Sequence, residues 1–166
     1  MRGSAPIAPS AVAVNNGQVV PREMTVKDIK AVVEKFAQAC RRVKEAGFDA
    51  VQFHGAHGNL ITNFMSPFTN RRNDDYGGST ENRARFLVDI VTSARELVGS
   101  DFPLMIKLSF SDFVDGGLYV NEPVAISEIV VDAGIDCIEV SGGTLSETKD
   151  NIAAKGIQKQ EQESGK

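Results

Sequence analysis

The segment from Phe48 to Leu60 reads Phe-Asp-Ala-Val-Gln-Phe-His-Gly-Ala-His-Gly-Asn-Leu, and the rest of the chain is best interpreted from it. It predicts a short buried strand, Ala50 to Phe53, followed by a glycine-rich turn that carries His54 and His57. In parallel α/β folds ligands bind at the carboxyl ends of the strands, so paired imidazoles at this point favour a functional site over core packing. These are the only two histidines in the sequence.

Helical patterns lie on both sides of this segment. The first covers 25–47, with apolar residues spaced three and four apart between a threonine cap and a closing glycine. Similar patterns cover 79–99 and 121–134, and Asn121 is predicted to cap the last of them. Each helix has one apolar side, which is predicted to pack against a sheet or another helix.

Two further apolar runs predict strands at 103–108 and 136–140. Lys107 interrupts the first run, and its ammonium either extends to solvent or faces an anionic ligand atom. The second run ends at Ser141-Gly142, a turn whose backbone N–H groups can face a phosphate or a carbonyl, although glycine pairs also serve turn geometry alone. Strands that alternate with helices indicate a parallel sheet with right-handed crossovers.

The number of predicted strands is small for a complete α/β domain. Three strands leave two apolar edges unpaired, and such edges favour association with another chain. A (β/α)8 barrel needs about 250 residues, whereas this chain has 166. The sequence is therefore interpreted as a contiguous piece of a larger assembly.

Composition narrows the classes of partner. The net charge is -4 and the 18 basic residues are dispersed along the chain, so binding to nucleic acid or to an anionic membrane is not expected. The expected partner is a small molecule. Cys40 and Cys137 fall within apolar patterns, which predicts two buried, reduced thiols and a cytoplasmic location. The sequence shows no signal peptide and no long apolar run, so neither secretion nor membrane spanning is expected.

Several blocks carry a resemblance to a known family. They are Ala46-Gly47-Phe48-Asp49, His54-Gly55-Ala56-His57-Gly58, Asn70-Arg71-Arg72, Asp75-Tyr76-Gly77-Gly78-Ser79 and Val140-Ser141-Gly142-Gly143. Together they resemble the flavin-dependent Old Yellow Enzyme family, also described as NADH:flavin oxidoreductases, including its bacterial enoate and dienoyl-CoA reductase-like members. The resemblance implies a TIM (β/α)8 barrel with FMN at the carboxyl face of its strands. The three predicted strands resemble the fourth, fifth and sixth of the eight.

The resemblance also implies roles for five residues. His54 and His57 resemble the pair that binds the carbonyl or phenolate oxygen of a ligand stacked on the flavin. There they would stabilise the enolate that forms as hydride reaches an α,β-unsaturated carbonyl compound. Lys107 occupies a position where relatives usually have an arginine facing the pyrimidine edge of the flavin, and Ser141 and Gly142 fall near it. FMN is the implied cofactor, with NADH or NADPH as the reductant.

Two departures from the family pattern bear on this interpretation. Many relatives have a tyrosine where this chain has Asn59, and asparagine cannot supply the proton that the phenol gives to the α-carbon. The resemblance also leaves the first three and the last two strands outside the chain. We divide the chain into an N-terminal loop segment at 1–24, a partial barrel at 25–145 and a polar tail at 146–166.

Two alternatives to a flavin-dependent reductase remain open. One is a non-catalytic or engineered half-barrel scaffold that self-associates through its exposed sheet edges into a homo-oligomer. The other is a metal site on His54 and His57, which lacks a third ligand because Asp49 lies at the opposite end of the strand. The sequence favours the reductase and a small-molecule substrate over both.

Overall fold

The computed structural model describes residues 6–13 and 19–144. The elements in this part of the chain are β1 (Ile7–Ala8), β2 (Arg22–Glu23), α1 (Val26–Glu45), β3 (Val51–Gly55), α2 (Leu60–Met65), α3 (Thr80–Val98), β4 (Leu104–Ser109), α4 (Asn121–Asp132) and β5 (Cys137–Ser141). The polar tail predicted at 146–166 lies outside the described residues. None of the described helices is both long enough and apolar enough to cross a bilayer.

The main sheet has three parallel strands in the order β3-β4-β5. Helices α2 and α3 lie between β3 and β4 in the chain, and α4 lies between β4 and β5, as the alternating pattern predicts. Among the described residues, β3 and β5 each pair with one neighbour only, so the sheet is open on both sides. The described residues therefore form an α/β unit without a closed barrel.

The two faces of this sheet differ in character. Phe53, Ile106 and Leu108 are buried in one hydrophobic core with residues of the long helices α1 and α3. Successive side chains of a strand point to opposite faces, so His54 and Lys107 lie on the other face, where they remain partly or largely exposed. One face therefore holds the fold together, and the other is a polar surface.

Local signals explain where the helices begin. At the start of α1, the Thr25 hydroxyl accepts the Asp28 backbone N–H, and the Asp28 carboxylate accepts the Thr25 backbone N–H. Ser79 caps α3 as predicted. The prediction for α4 is wrong by one residue, because Val120 already has helical dihedrals and occupies the cap position, which makes Asn121 the first residue of the helix.

Three further predictions are corrected by the structure. The strand predicted at 50–53 is β3, which runs to Gly55, because pairing with β4 continues through His54 and Gly55. Cys40 is buried, but Cys137 is exposed, since it lies on the polar face of an edge strand. Part of the N-terminal segment that was expected to be loop forms the short parallel pair of β1 and β2.

The long loop between α2 and α3 is held by buried polar side chains. The Arg72 guanidinium donates to the carbonyl oxygens of Pro9 and Met24 at 2.9 and 2.6 Å. The Asn70 amide donates to the carbonyl oxygens of Phe64 and Tyr76 at 2.6 and 2.7 Å. These bonds join the loop to α2 and to the residues that follow β1 and β2, so the loop is a fixed part of the scaffold.

Candidate functional site

The candidate site lies at the carboxyl ends of β3, β4 and β5. Parallel pairing places His54 opposite Lys107, and Lys107 opposite Glu139, so the three side chains form one row across the polar face of the sheet. His57 follows β3 on the adjoining turn, and Ser141 is the last residue of β5. The structure thus brings all five sequence-predicted residues, including Gly142, to the same end of the sheet.

The two imidazoles are close but are held by different means. Their ring centroids lie 5.4 Å apart with an angle of 67° between the planes. His54 is part of β3, so its orientation follows from the pleat of the strand. His57 has a φ of 59°, which is uncommon for a residue with a side chain and is often found at functional sites.

His57 is fixed by hydrogen bonds to the other two strands of the sheet. Its backbone N–H donates to Ser109 Oγ of β4 at 3.1 Å, and its ring Nε2 lies 2.6 Å from Ser141 Oγ of β5. Ser109 is fully buried, and its hydroxyl also donates to the Gly143 carbonyl oxygen at 3.4 Å. The sequence interpretation missed Ser109, although a hydroxyl at the end of an apolar strand is a usable signal.

Lys107 makes an ion pair on the polar face. Its Nζ lies 2.8 Å from Glu139 Oε1, and Gln52 Nε2 donates to Glu139 Oε2 at 2.9 Å. The hydrogen bonds from Lys107 and Gln52 hold the pKa of the Glu139 carboxyl below its ordinary value, so it carries a negative charge at neutral pH. The sequence interpretation also missed Glu139 and Gln52, which interrupt otherwise apolar strands.

Gly142 lies against an exposed aromatic ring. A Cβ added at Gly142 would lie 3.0 Å from Cε2 of Phe113, so a larger residue would force this ring to move. Phe113 is 61% exposed and has a φ of 56°. The exposed ring of Phe113 therefore lies beside the turn that follows β5.

Asn59 connects the histidine turn to α2. Its side-chain Nδ2 donates to the Ala56 backbone carbonyl oxygen at 3.1 Å, and its backbone carbonyl oxygen accepts the Asn63 N–H at 2.8 Å. These bonds give Asn59 a structural role at the start of the helix.

The donors at this site suit oxygen atoms that carry or develop negative charge. Lys107 provides an ammonium, and His54 and His57 provide imidazoles within the same end of the sheet. Such a set fits the polar edge of an isoalloxazine and the oxygen of a carbonyl ligand. Within residues 6–13 and 19–144, no group of three or more His, Cys, Asp or Glu could hold a metal ion.

Comparisons with known proteins give one consistent result. The family model described as the NADH:flavin oxidoreductase / NADH oxidase family matches residues 2–164. An NADPH dehydrogenase of Geobacillus sp. (strain WCH70) is 45% identical over 143 residues, which are 86% of this chain and 42% of that protein. This chain therefore spans less than half the length of that relative.

Solved structures give the same picture. A 2-naphthoyl-CoA reductase in complex with 2-naphthoyl-CoA superposes with a TM-score of 0.80 and 33% identity, covering 86% of this chain and 22% of the reductase. The Old Yellow Enzyme homologue from Zymomonas mobilis gives a TM-score of 0.74 and 28% identity, covering 95% and 48%. Old Yellow Enzymes are TIM barrels, so the predicted fold class, three βα units of a partial (β/α)8 barrel, is confirmed.

Proposed function

This chain belongs to the NADH:flavin oxidoreductase / NADH oxidase family, and from that membership we propose that the protein is an ene-reductase. It uses FMN, with NADH or NADPH as the reductant, and its substrate is an α,β-unsaturated carbonyl compound. The observation that carries this proposal is the meeting of two imidazoles and one ammonium at the carboxyl end of a single sheet. Families of this fold bind their ligands at that end.

His54 and His57 bind the carbonyl oxygen of the substrate. Hydrogen-bond donors at this oxygen stabilise the negative charge that develops on it, and fixed donors do so without reorganisation. In the tautomer in which the Ser141 hydroxyl donates to Nε2, His57 carries its proton on Nδ1 and can donate it to the ligand. The Ser141 hydroxyl can donate or accept, so it holds the His57 ring in either tautomer.

Lys107, Ser141 and Gly142 would contact the cofactor. Bound FMN would supply the hydride that the substrate accepts. The Lys107 ammonium would stabilise negative charge on a bound isoalloxazine, although a lysine lacks the forked geometry of the arginine usual in relatives. Asn59 has no acidic proton, so water or another group protonates the α-carbon.

The self-associating half-barrel is the second candidate. It is favoured by one observation: within the described part of the chain, β3 and β5 both have an unpaired edge. Two copies could pair these edges to form a larger sheet, and the resulting homo-oligomer would need no catalytic activity.

Binding of FMN separates the two candidates. We expect the protein to quench the fluorescence of added FMN, to turn yellow and to lose that colour with NADH or NADPH. A colourless oligomer that leaves FMN fluorescence unchanged would contradict the reductase and support the scaffold.

Replacement of the histidines tests the roles assigned to them. His54→Ala and His57→Ala should each weaken binding of a phenolate ligand to the flavin-loaded protein at least tenfold, or about 1.4 kcal/mol, with the fold retained. His57→Asn is the matched control, because asparagine tolerates a positive φ and keeps a hydrogen-bond donor. Loss of the folded circular dichroism spectrum in both alanine variants would mean that the histidines are structural.

A further inference from the structure

We propose that Glu139 is a positioning residue for Lys107, and that it sets how strongly the ammonium stabilises negative charge in the site. The inference rests on the proposed function, because it concerns the charge that Lys107 presents to a bound flavin. Nothing in the family resemblance assigns a role to Glu139.

The geometry of the row supports this role. Glu139 lies directly opposite Lys107 in the β4-β5 pair, and its Oε1 is 2.8 Å from Nζ. Its other oxygen accepts the Gln52 amide from β3 at 2.9 Å, so the carboxylate is held from two strands. A carboxylate that is held on both oxygens is a fixed anchor, unlike one partner of a freely moving surface pair.

Lysine needs such an anchor more than arginine does. Its ammonium sits on a flexible four-carbon stem and, unlike a guanidinium, brings no rigid fork of its own. The Lys107 side chain is 30% exposed, so without Glu139 the stem is free to extend into solvent. The ion pair uses one of the three ammonium N–H bonds and leaves two for a ligand.

The same contact also reduces the positive field of Lys107. A carboxylate beside an ammonium opposes its effect on any third charge nearby. Glutamine at position 139 removes this opposing charge and keeps an oxygen that can accept from Lys107, whereas alanine removes both the charge and the anchor. Comparison of the two variants therefore separates the effect of removing the carboxylate charge from the effect of removing the oxygen that holds Lys107.

The first measurement needs no cofactor. The rate at which an amine-reactive reagent modifies Lys107 is followed by peptide mass spectrometry, with exposed lysines of α1 as internal standards. We expect Lys107 to react severalfold faster in Glu139→Ala than in Glu139→Gln or the unmodified sequence, because only alanine removes the oxygen that holds its amino group. An unchanged rate would overturn the proposal, since Glu139 would then not hold Lys107.

The second measurement uses the flavin-loaded protein. We expect Glu139→Gln to raise the affinity for reduced FMN relative to oxidised FMN about tenfold, which equals a rise of about 30 mV in the two-electron potential. Glu139→Ala should give a smaller rise, because its unanchored lysine lies farther from the flavin. Glu128→Gln is the control, since it makes the same charge change on an exposed position of α4.

The outcomes distinguish this proposal from the proposed function. An unchanged potential in Glu139→Gln, or equal rises in both variants, would overturn the positioning role while leaving the reductase intact. If the unmodified protein binds no FMN, the proposed function fails and this role fails with it.

Discussion

Ser109 is the residue on which the conformation of the histidine turn most depends. Its buried hydroxyl accepts the His57 N–H and donates to the Gly143 carbonyl oxygen, so it joins the ends of all three strands. The backbone of His57 has a positive φ, which other forces must maintain. The hydrogen bond from the His57 N–H to this serine therefore helps to hold the turn in that conformation.

Ser109→Ala should lower the free energy of unfolding by about 1 to 3 kcal/mol, because it leaves the His57 N–H without its partner. Urea denaturation measures this change. Ser141→Ala is the matched control: it removes only a side-chain contact at a partly exposed position, and we expect a loss of about 1 kcal/mol or less. Equal losses in both variants would contradict the distinct role of Ser109.

Asp112 and Asp74 should give the protein opposite dependences on pH. Burial raises the pKa of Asp112, so its contribution to stability is present below the pKa of the unfolded chain and is lost as pH rises through the folded value. The Arg72 hydrogen bond lowers the pKa of Asp74, so its contribution is present above the unfolded value and is lost as pH falls through the folded one.

Urea denaturation from about pH 3 to 7 tests these two opposite dependences of stability on pH. Relative to the unmodified protein, Asp112→Asn should be least stable at the acidic end and should improve as pH rises. Asp74→Asn should show the reverse trend. Parallel stability curves for the two variants would mean that one assigned direction is wrong.

The loop between α2 and α3 is the element whose conformation is most tightly constrained. Arg72 lies at its centre, and Gly77 packs against the backbone of Arg72 so closely that an added Cβ would overlap the Arg72 carbonyl group. Gly78, the next residue, has a φ of 82° but open space where a Cβ would stand. The two glycines are therefore needed for different reasons.

Alanine at each glycine should separate overlap from backbone strain. Gly78→Ala should lower the free energy of unfolding by about 1 to 2 kcal/mol, the cost of left-handed dihedrals. Gly77→Ala should cost more, about 3 kcal/mol or greater, because backbone atoms must move to make room. Thermal unfolding of both variants measures the difference, and a Gly77→Ala protein as stable as Gly78→Ala would contradict it.

The beginnings of α1 and α3 could be predicted from the sequence, because they depend on residues close together in the chain. The caps Thr25 and Ser79 satisfy backbone N–H groups within their own helices, so α1 and α3 could be predicted from neighbouring residues alone. The end of β3 could not, because pairing with a strand about fifty positions away extends it through His54. Glu139 was missed for the same reason, since its partners come from two other strands.

The open sheet is the main feature of the molecule as a whole. Val140 of β5 is 67% exposed, and the edge beyond it is unpaired among the described residues. Unpaired apolar edges promote association between chains, and a charged residue on such a strand opposes it. The three predicted strands already indicated unpaired apolar edges, although the composition alone is that of an ordinary globular domain.

Val140→Lys should therefore weaken self-association of the isolated chain. We expect its sedimentation coefficient to fall toward the monomer value at concentrations where the unmodified chain associates. Val131→Lys is the control, because it adds the same charge at an exposed position of α4, away from the sheet edge. If both variants associate equally, the contact lies elsewhere.

The alternation of side chains along β4 makes the whole site sensitive to the length of the chain before it. If a single amino acid were inserted between Ile106 and Lys107 and the preceding residues kept their register, the Lys107 ammonium would turn toward the packed helices and the Leu108 side chain would move onto the polar face. A substitution changes one side chain, whereas this insertion would exchange the polar and apolar faces of the rest of the strand. Natural sequences should therefore differ in β4 by substitutions and not by insertions or deletions.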